Sequence, residues 1–245
     1  MNYFDKAIGV LRRDGPLQLL KKGVPFIYDV HVAPHLPRTR ATYNGVSVKG
    51  ARYFDSILPW RVKHRPQYES GLVSGLDKNV EPGDRVVIVG GGWGVTTVIA
   101  AREAGKSGKV IVYEGSEKGI ADIQETLKQN RIPRNIDIRH GVVGPLISLR
   151  GDAGKADQVS PKKIPECDVL ELDCEGAEVE ILKNLSILPR VILVETHGMH
   201  KASSAKVEEL LEELSYSVEV KEVADKGTKD FCLEKDVYSL VAVHK

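Results

Sequence analysis

Apolar residues recur in two registers along this chain. Val86–Val89, Lys109–Tyr113, Val169–Leu172 and Val191–Val194 are apolar at nearly every position, the pattern of strands buried on both faces. Between them the apolar residues fall three or four apart. Leu72, Val73, Leu76 and Val80 mark one helix, Val95 to Ala104 a second stopped by Gly105, Ile120, Ile123 and Leu127 a third within Glu117–Asn130, and Ala177 to Leu182 a fourth. Ile136–Arg139 adds a strand, and Ser203 or Ser204 caps a helix running through Leu214. Ser217–Val223 and Val237–Val243 close the pattern as two strands, the last read as an inserted antiparallel one. Strands alternating with helices predict an α/β fold, a doubly wound, mostly parallel seven-stranded sheet of Rossmann-like type. Ligands of such sheets sit beyond the carboxyl ends of the strands.

The first 65 residues follow neither register strongly and are expected to form a separate extension or cap, with residues 66–245 as the main domain. Tyr3, Phe4, Ala7, Ile8, Val10 and Leu11 suggest a short amphipathic helix, and Leu17, Leu19 and Leu20 a second, split by Asp14-Gly15-Pro16. Pro25, Pro34 and Pro37 prevent one long helix. Thr42 to Phe54 alternates around Asn44-Gly45, a hairpin signal. The polar, breaker-rich stretch GDAGKADQVSPKKIPE reads as a loop over the strand ends, either a lid or plain surface.

Charge changes this picture at one end. Residues 1–65 carry twelve Lys/Arg against four Asp/Glu, and the remainder twenty-three against thirty. Such a basic arm suits an anionic membrane surface, nucleic acid or an acidic substrate, or it is a solvated cap offsetting the acidic body. Three cysteines without a C-x-x-C pair argue against a disulfide framework or a cysteine zinc site. No apolar run is long enough to span a bilayer and no secretory pattern opens the chain, so a cytoplasmic location, with peripheral membrane contact as an option, is the expectation.

Candidate chemistry gathers at the strand ends. After Val89 the chain enters Gly90, Gly91, Gly92, Trp93 and Gly94, where the backbone can turn sharply and approach a ligand closely. A dinucleotide turn wants a small residue three positions after its second glycine; here that position is Val95, and the extra glycine is Gly94. A tight structural turn is the plain alternative. Glu114, followed by Gly115, ends the next strand, where a carboxylate would accept both hydroxyls of a ribose or simply sit at the surface. Val142 lies near where an adenine ring would rest. In DCEGAE, Asp173, Glu175 and Glu178 crowd one turn; Glu178 suits helix capping and Asp173 ligand contact. Glu195, His197 and His200 end the fifth strand. His197 suits a general base or a structural histidine. With Asp173 these residues could ligate a metal, but no spacing matches a tight zinc site, and no metal is assigned.

The runs DRVVIVGGGWG, VIVYEGSE, LELDCEGAEVEILKNL and VILVETHG together resemble the FkbM-type family of S-adenosylmethionine-dependent methyltransferases, over about residues 68–245. The D-x-E-G-A-E element is the most specific part; the G-x-G-x-G turn is similar to that of class I methyltransferases at large. The resemblance implies a class I methyltransferase sheet and S-adenosyl-L-methionine as cofactor, held by Gly90, Gly91, Gly92, Trp93, Gly94, Glu114, Gly115, Val142 and Asp173. It also implies methyl transfer to a hydroxyl of a sugar or other small metabolite, such as a glycan or glycolipid. The catalytic residues expected are His197 as base and Asp173 as positioning group. An RNA methyltransferase using the basic arm and a non-catalytic nucleoside binder are the competing readings. Many relatives carry an acid before the first glycine where this chain has Val89, and residues 1–65 match no pattern of the family.

Overall fold

In the computed structural model, which describes residues 3–132, 136–148 and 152–245, helix α1 (Tyr3–Ile27) breaks at Gly15 (φ 81°, ψ 173°), so it is two helical segments, as the Asp14-Gly15-Pro16 signal predicts. The side chains of Tyr3, Phe4, Ala7 and Val10, part of the expected apolar face, lie outside the described residues. Leu17 and Leu20 are exposed and line no core. Strands β1 (Arg38–Tyr43) and β2 (Val46–Arg52) pair around Asn44-Gly45, both at positive φ as a primed two-residue turn requires.

The chain divides into two units, residues 1–41 with 50–64, and residues 42–49 with 65–245. In the first, Asp55 is nearly buried and accepts from the Arg61 guanidinium at 2.8 and 3.2 Å and from the Arg52 amide at 2.7 Å. Residues 42–49, expected in the N-terminal extension, belong to the larger unit for a visible reason. Asn44 donates to the Tyr68 carbonyl at 3.0 Å, the Ser47 amide donates to Asn130 at 3.1 Å, and the Tyr43 ring lies 5.0 Å from that of Tyr68.

The larger unit continues with α2 (Ser70–Asn79), β3 (Arg85–Val89), α3 (Val95–Ala104), β4 (Lys109–Glu114), α4 (Glu117–Gln129), β5 (Ile136–Val143), β6 (Asp157–Val159), β7 (Val169–Leu172), α5 (Glu178–Lys183), β8 (Val191–Glu195), α6 (Ser204–Glu213), β9 (Tyr216–Val223), α7 (Lys229–Lys235) and β10 (Tyr238–His244). The sheet order is β6-β5-β4-β3-β7-β8-β10-β9, parallel except where β10 pairs antiparallel with both β8 and β9. Helices α2, α3 and α4 pack with Val86 and Ile88 on one face, while α5 and α6 pack with Val87 and Val89 on the other. That two-sided burial is why β3 is apolar without alternation.

Two expectations need correction. The sheet has eight strands, because the stretch expected to be only loop contributes β6, which extends the ladder beyond β5; its first residue, Gly151, lies outside the described residues. Three residues are too short for a periodic signal. Helix α7 between β9 and β10 was also not expected, since its exposed Phe231 and Leu233 blur the buried stripe that marks a helix.

Candidate functional site

The carboxyl ends of β3, β4, β5, β7 and β8 surround a cavity of about 300 Å³. Gly90 and Gly92, Glu114 and Gly115, Val142, Asp173 and Glu195 all line it.

The glycines of the turn do different jobs. Gly90 sits at φ 96°, and a Cβ there would lie 1.7 Å from the Asp173 carbonyl oxygen, so the ends of β3 and β7 approach closely only because no side chain intervenes. Gly91 and Gly94 abut Ile123 of α4 instead, and neither lines the cavity. A Cβ on Gly92 would meet nothing nearer than Glu69 Oε1 at 3.9 Å, leaving that backbone open to a ligand. Trp93 turns away from the cavity, its ring 6.2 Å from Tyr43 and beneath the Lys118 ammonium at 5.4 Å. Helix α3 begins at Gly94 without a side-chain cap, which leaves its positive dipole end without a capping side chain.

Glu114, buried, bridges the turn to α4. Its Oε2 accepts from the Gly92 amide at 3.2 Å, and its Oε1 from the Ser116 amide at 2.9 Å and hydroxyl at 3.2 Å. Oε2, with one donor, keeps a lone pair for a further one, whereas Oε1 already accepts two.

Across the cavity, the DCEGAE turn and the loop after β8 form one cluster. Glu175 adopts φ 55°, and Gly176 passes so close to His200 that a Cβ would lie 2.6 Å from the His200 Cβ. His197 Nδ1 pairs with Glu178 Oε1 at 3.0 Å, and the same oxygen accepts from the Cys174 amide at 3.0 Å. Glu178 is thus more than the helix cap its position suggested. His197 Nε2 points toward Asp173 Oδ1 at 3.6 Å, Glu195 Oε1 at 3.8 Å and Glu175 Oε2 at 3.8 Å. His197 itself does not line the cavity; Asp173 and Glu195 stand in front of it. His200 lies at the edge, its Nε2 3.9 Å from Glu175.

No protein-family model and no curated protein matches the chain. Among solved structures it is similar to a ribosomal protein L11 methylase from Lactobacillus delbrueckii subsp. bulgaricus, at 16% identity over 74% of this chain and 80% of that one, with a TM-score of 0.50. The fold is that of the class I methyltransferases. At a TM-score of 0.47, an S-adenosylmethionine-dependent O-methyltransferase from Thermotoga maritima is 18% identical over 72% of this chain and 64% of that one. An Aeropyrum pernix fibrillarin with natively bound S-adenosyl-L-methionine, also at 0.47, is 14% identical over 86% of each chain.

Within this class I fold the cluster crowds four carboxylates, Asp173, Glu175, Glu178 and Glu195, around His197. Burial pushes the Asp173 carboxyl up to about 7, with Glu175 and Glu178 adding to the rise and His197 opposing it. Burial, then Asp173, raises Glu195 well above the ordinary carboxylate range. For His197 burial alone would lower the value, but the Glu178 hydrogen bond and the Asp173 charge outweigh it and carry it up to about 9. Burial would raise Glu178, yet the bond and charge of His197 hold it below its usual value.

The opposite wall was not legible in the sequence. Tyr68 and Glu69, the latter at φ 46°, and Asp225, Thr228, Phe231 and Cys232 from the β9–β10 connection all line the cavity. None sits in a motif; only their place just before α2 and between the last two strands could have flagged them.

Proposed function

We propose that this chain is a methyltransferase that uses S-adenosyl-L-methionine to methylate a hydroxyl of a small metabolite, a sugar or glycolipid headgroup being the chemistry that fits best. The observation carrying this is the pairing, in one cavity, of an open glycine backbone at Gly92 beside Glu114 with the Asp173 and Glu195 carboxylates opposite. The residues present fit a nucleoside with a charged tail. Gly90, Gly92, Glu114, Gly115 and Val142 would hold the nucleoside, and Asp173 or the uncapped start of α3 would meet the charged tail. Gly91, Trp93 and Gly94 support the turn from outside the cavity.

When bound, the cofactor supplies a methyl group on an already activated sulfonium. The chain then has to align the acceptor oxygen and dispose of its proton. Asp173 and Glu195 line the cavity, so they orient the acceptor hydroxyl, and Asp173, whose carboxyl titrates lower than that of Glu195, receives its proton. His197, expected as the base, serves from behind as a positioning residue, fixed by Glu178 through Nδ1. Asp173→Asn is expected to abolish turnover, and His197→Ala to lower it while leaving cofactor affinity nearly intact. Full turnover in Asp173→Asn refutes this assignment. Calorimetry with S-adenosylmethionine, S-adenosylhomocysteine and NAD tests the reading itself, and binding of NAD alone overturns it. Mass spectrometry of metabolite extracts incubated with labelled cofactor identifies the acceptor.

For the basic N-terminal unit we favour a peripheral, anionic membrane surface over RNA. Leu17, Leu20, Ile27, Ile57 and Val62 are all exposed there among the excess of Lys and Arg, a combination that suits lipid headgroups and acyl chains. No helix among the described residues is long and apolar enough to cross a membrane. Co-sedimentation with phosphatidylglycerol vesicles but not phosphatidylcholine ones, reversed by salt, is the expected result; binding to RNA instead of vesicles overturns it.

A further inference from the structure

His197 holds an unusual position among the carboxylates of the cavity. Its side chain is only 6% exposed, and its ring is fixed by Nδ1 pairing with Glu178, a carboxylate that is itself fully buried. Nε2 is then the one ring nitrogen left, and among the described residues no hydrogen bond engages it. The carboxylate oxygens it faces, on Asp173, Glu195 and Glu175, stand off at 3.6 to 3.8 Å, beyond hydrogen-bonding distance. Glu195 Oε2 is likewise buried without a partner. The spacing of these atoms is that of ligands sharing one cation. Donors bound about 2.1 Å from a cation lie roughly 3.0 to 3.5 Å from one another. Here one atom each from Asp173, Glu195 and His197 falls within 4.8 Å of the others, so modest side-chain rotation closes the set.

We propose that Asp173, Glu195 and His197 bind a divalent cation, with Glu178 as the buried carboxylate that orients the imidazole. A ligating histidine characteristically donates its second ring N–H to a carboxylate, which is the role Glu178 occupies. The elements deliver the ligands naturally. Asp173 follows β7, Glu195 ends the adjacent β8, and His197 is held two residues on, where its amide donates to the Ala202 carbonyl at 2.9 Å. Because the ligands come from two strand ends, no short spacing in the sequence announces them, and the expectation of no metal followed from that. Two carboxylates and one imidazole suit Mn²⁺, which accepts oxygen ligands together with a histidine. His197 closes the back of the site and the two carboxylates flank it, so the remaining coordination positions face the cavity, where a hydroxylated acceptor would bind. The ion and a proton are alternatives on Nε2: with the ion bound, His197 is a ligand. The site follows from the geometry of the cluster and holds whether or not methyl transfer is the reaction.

The test is a titration of the full chain, first dialysed against a chelator, with Mn²⁺ while the electron paramagnetic resonance signal of free Mn²⁺ is recorded. One ion taken up per chain is expected, with at least tenfold weaker uptake in Glu195→Gln and His197→Gln and a loss of similar order in Glu178→Gln. Circular dichroism melting shows whether each variant is folded. In the wild-type chain Mn²⁺ should also broaden the ring resonances of His197 before those of the other histidines, a readout that needs no variant. No uptake by the wild-type chain, or uptake undiminished in both ligand variants, overturns the proposal. Calorimetry with S-adenosylmethionine separates the two ideas. Cofactor binding without Mn²⁺ uptake removes the cation alone, and Mn²⁺ uptake without cofactor binding removes the methyltransferase reading alone.

Discussion

Replacing Gly90 by Ala sets two costs against each other that can be worked from the structure. The new Cβ would lie 1.7 Å from the Asp173 carbonyl oxygen and 2.7 Å from its carbon, both backbone atoms that no rotamer change can move aside. Overpacking of this kind costs about 1 to 3 kcal/mol. The φ of 96° adds the left-handed penalty of about 1 to 2 kcal/mol for a residue with a Cβ. The sum, about 2 to 5 kcal/mol, is a large part of the about 5 to 15 kcal/mol that holds a domain together. With a urea slope of about 1 to 3 kcal/mol per molar, the unfolding midpoint should fall by about 0.7 M or more. Two companions calibrate the result. Gly105→Ala, at φ 66° and ψ −161° with nothing within 4 Å, carries a glycine-only backbone penalty of about 1 to 3 kcal/mol and no clash. Gly92→Ala, at φ 52°, should cost only the positive-φ penalty in stability but weaken cofactor binding, because its methyl projects into open space beside the cavity. Urea unfolding of the three variants, with cofactor calorimetry on the folded ones, separates the roles. A Gly90→Ala midpoint equal to that of Gly105→Ala would refute the close-approach argument.

Two further outcomes follow from electrostatics. In Asp55, burial would raise the carboxyl, but the hydrogen bonds from Arg61 and the Arg52 amide outweigh it and hold the value below the usual range. A depressed carboxyl stabilises the fold above its unfolded value near pH 4 and stops doing so as pH falls through the folded value. Asp55→Asn should therefore melt lower than wild type at pH 6, with the gap closing as both are taken toward pH 3; a gap independent of pH contradicts the pairing. Burial, aided by Asp168 and Glu166, pushes the Cys167 thiol up to about 12, so peptide mapping should find it unalkylated by iodoacetamide in the native chain at pH 8 and fully alkylated in guanidinium. Rapid native labelling would count against that environment.

The parallel core was legible because each central strand is buried on both faces, and an unbroken run such as Val86–Val89 has little else it can be. Asp173, Glu195 and Glu114 line the cavity because each ends a strand, where side chains of a doubly wound sheet meet ligands. Position along the chain does not tell which way a side chain faces. Trp93 shares the glycine turn but stacks outward, and Gly91 and Gly94 serve packing against Ile123. His197 lies at a strand end yet behind its neighbours, since its Nδ1 is captured by Glu178. A pairing between residues on two separate elements leaves no mark in the local pattern of either.

The insertion of β10 between β8 and β9 also sets an order of assembly. Strand β9 precedes β10 along the chain but pairs only with it, and β10 in turn pairs with β8. Until residues 238–244 are in place, β9 has no ladder to join, and the connection carrying Asp225, Thr228, Phe231 and Cys232 is tethered at one end only. The glycine turn and its carboxylates can therefore be built while one wall of the cavity is still missing. Ligand-binding competence should lag behind the formation of the parallel sheet during synthesis, and the last strand to dock is the one that encloses the site.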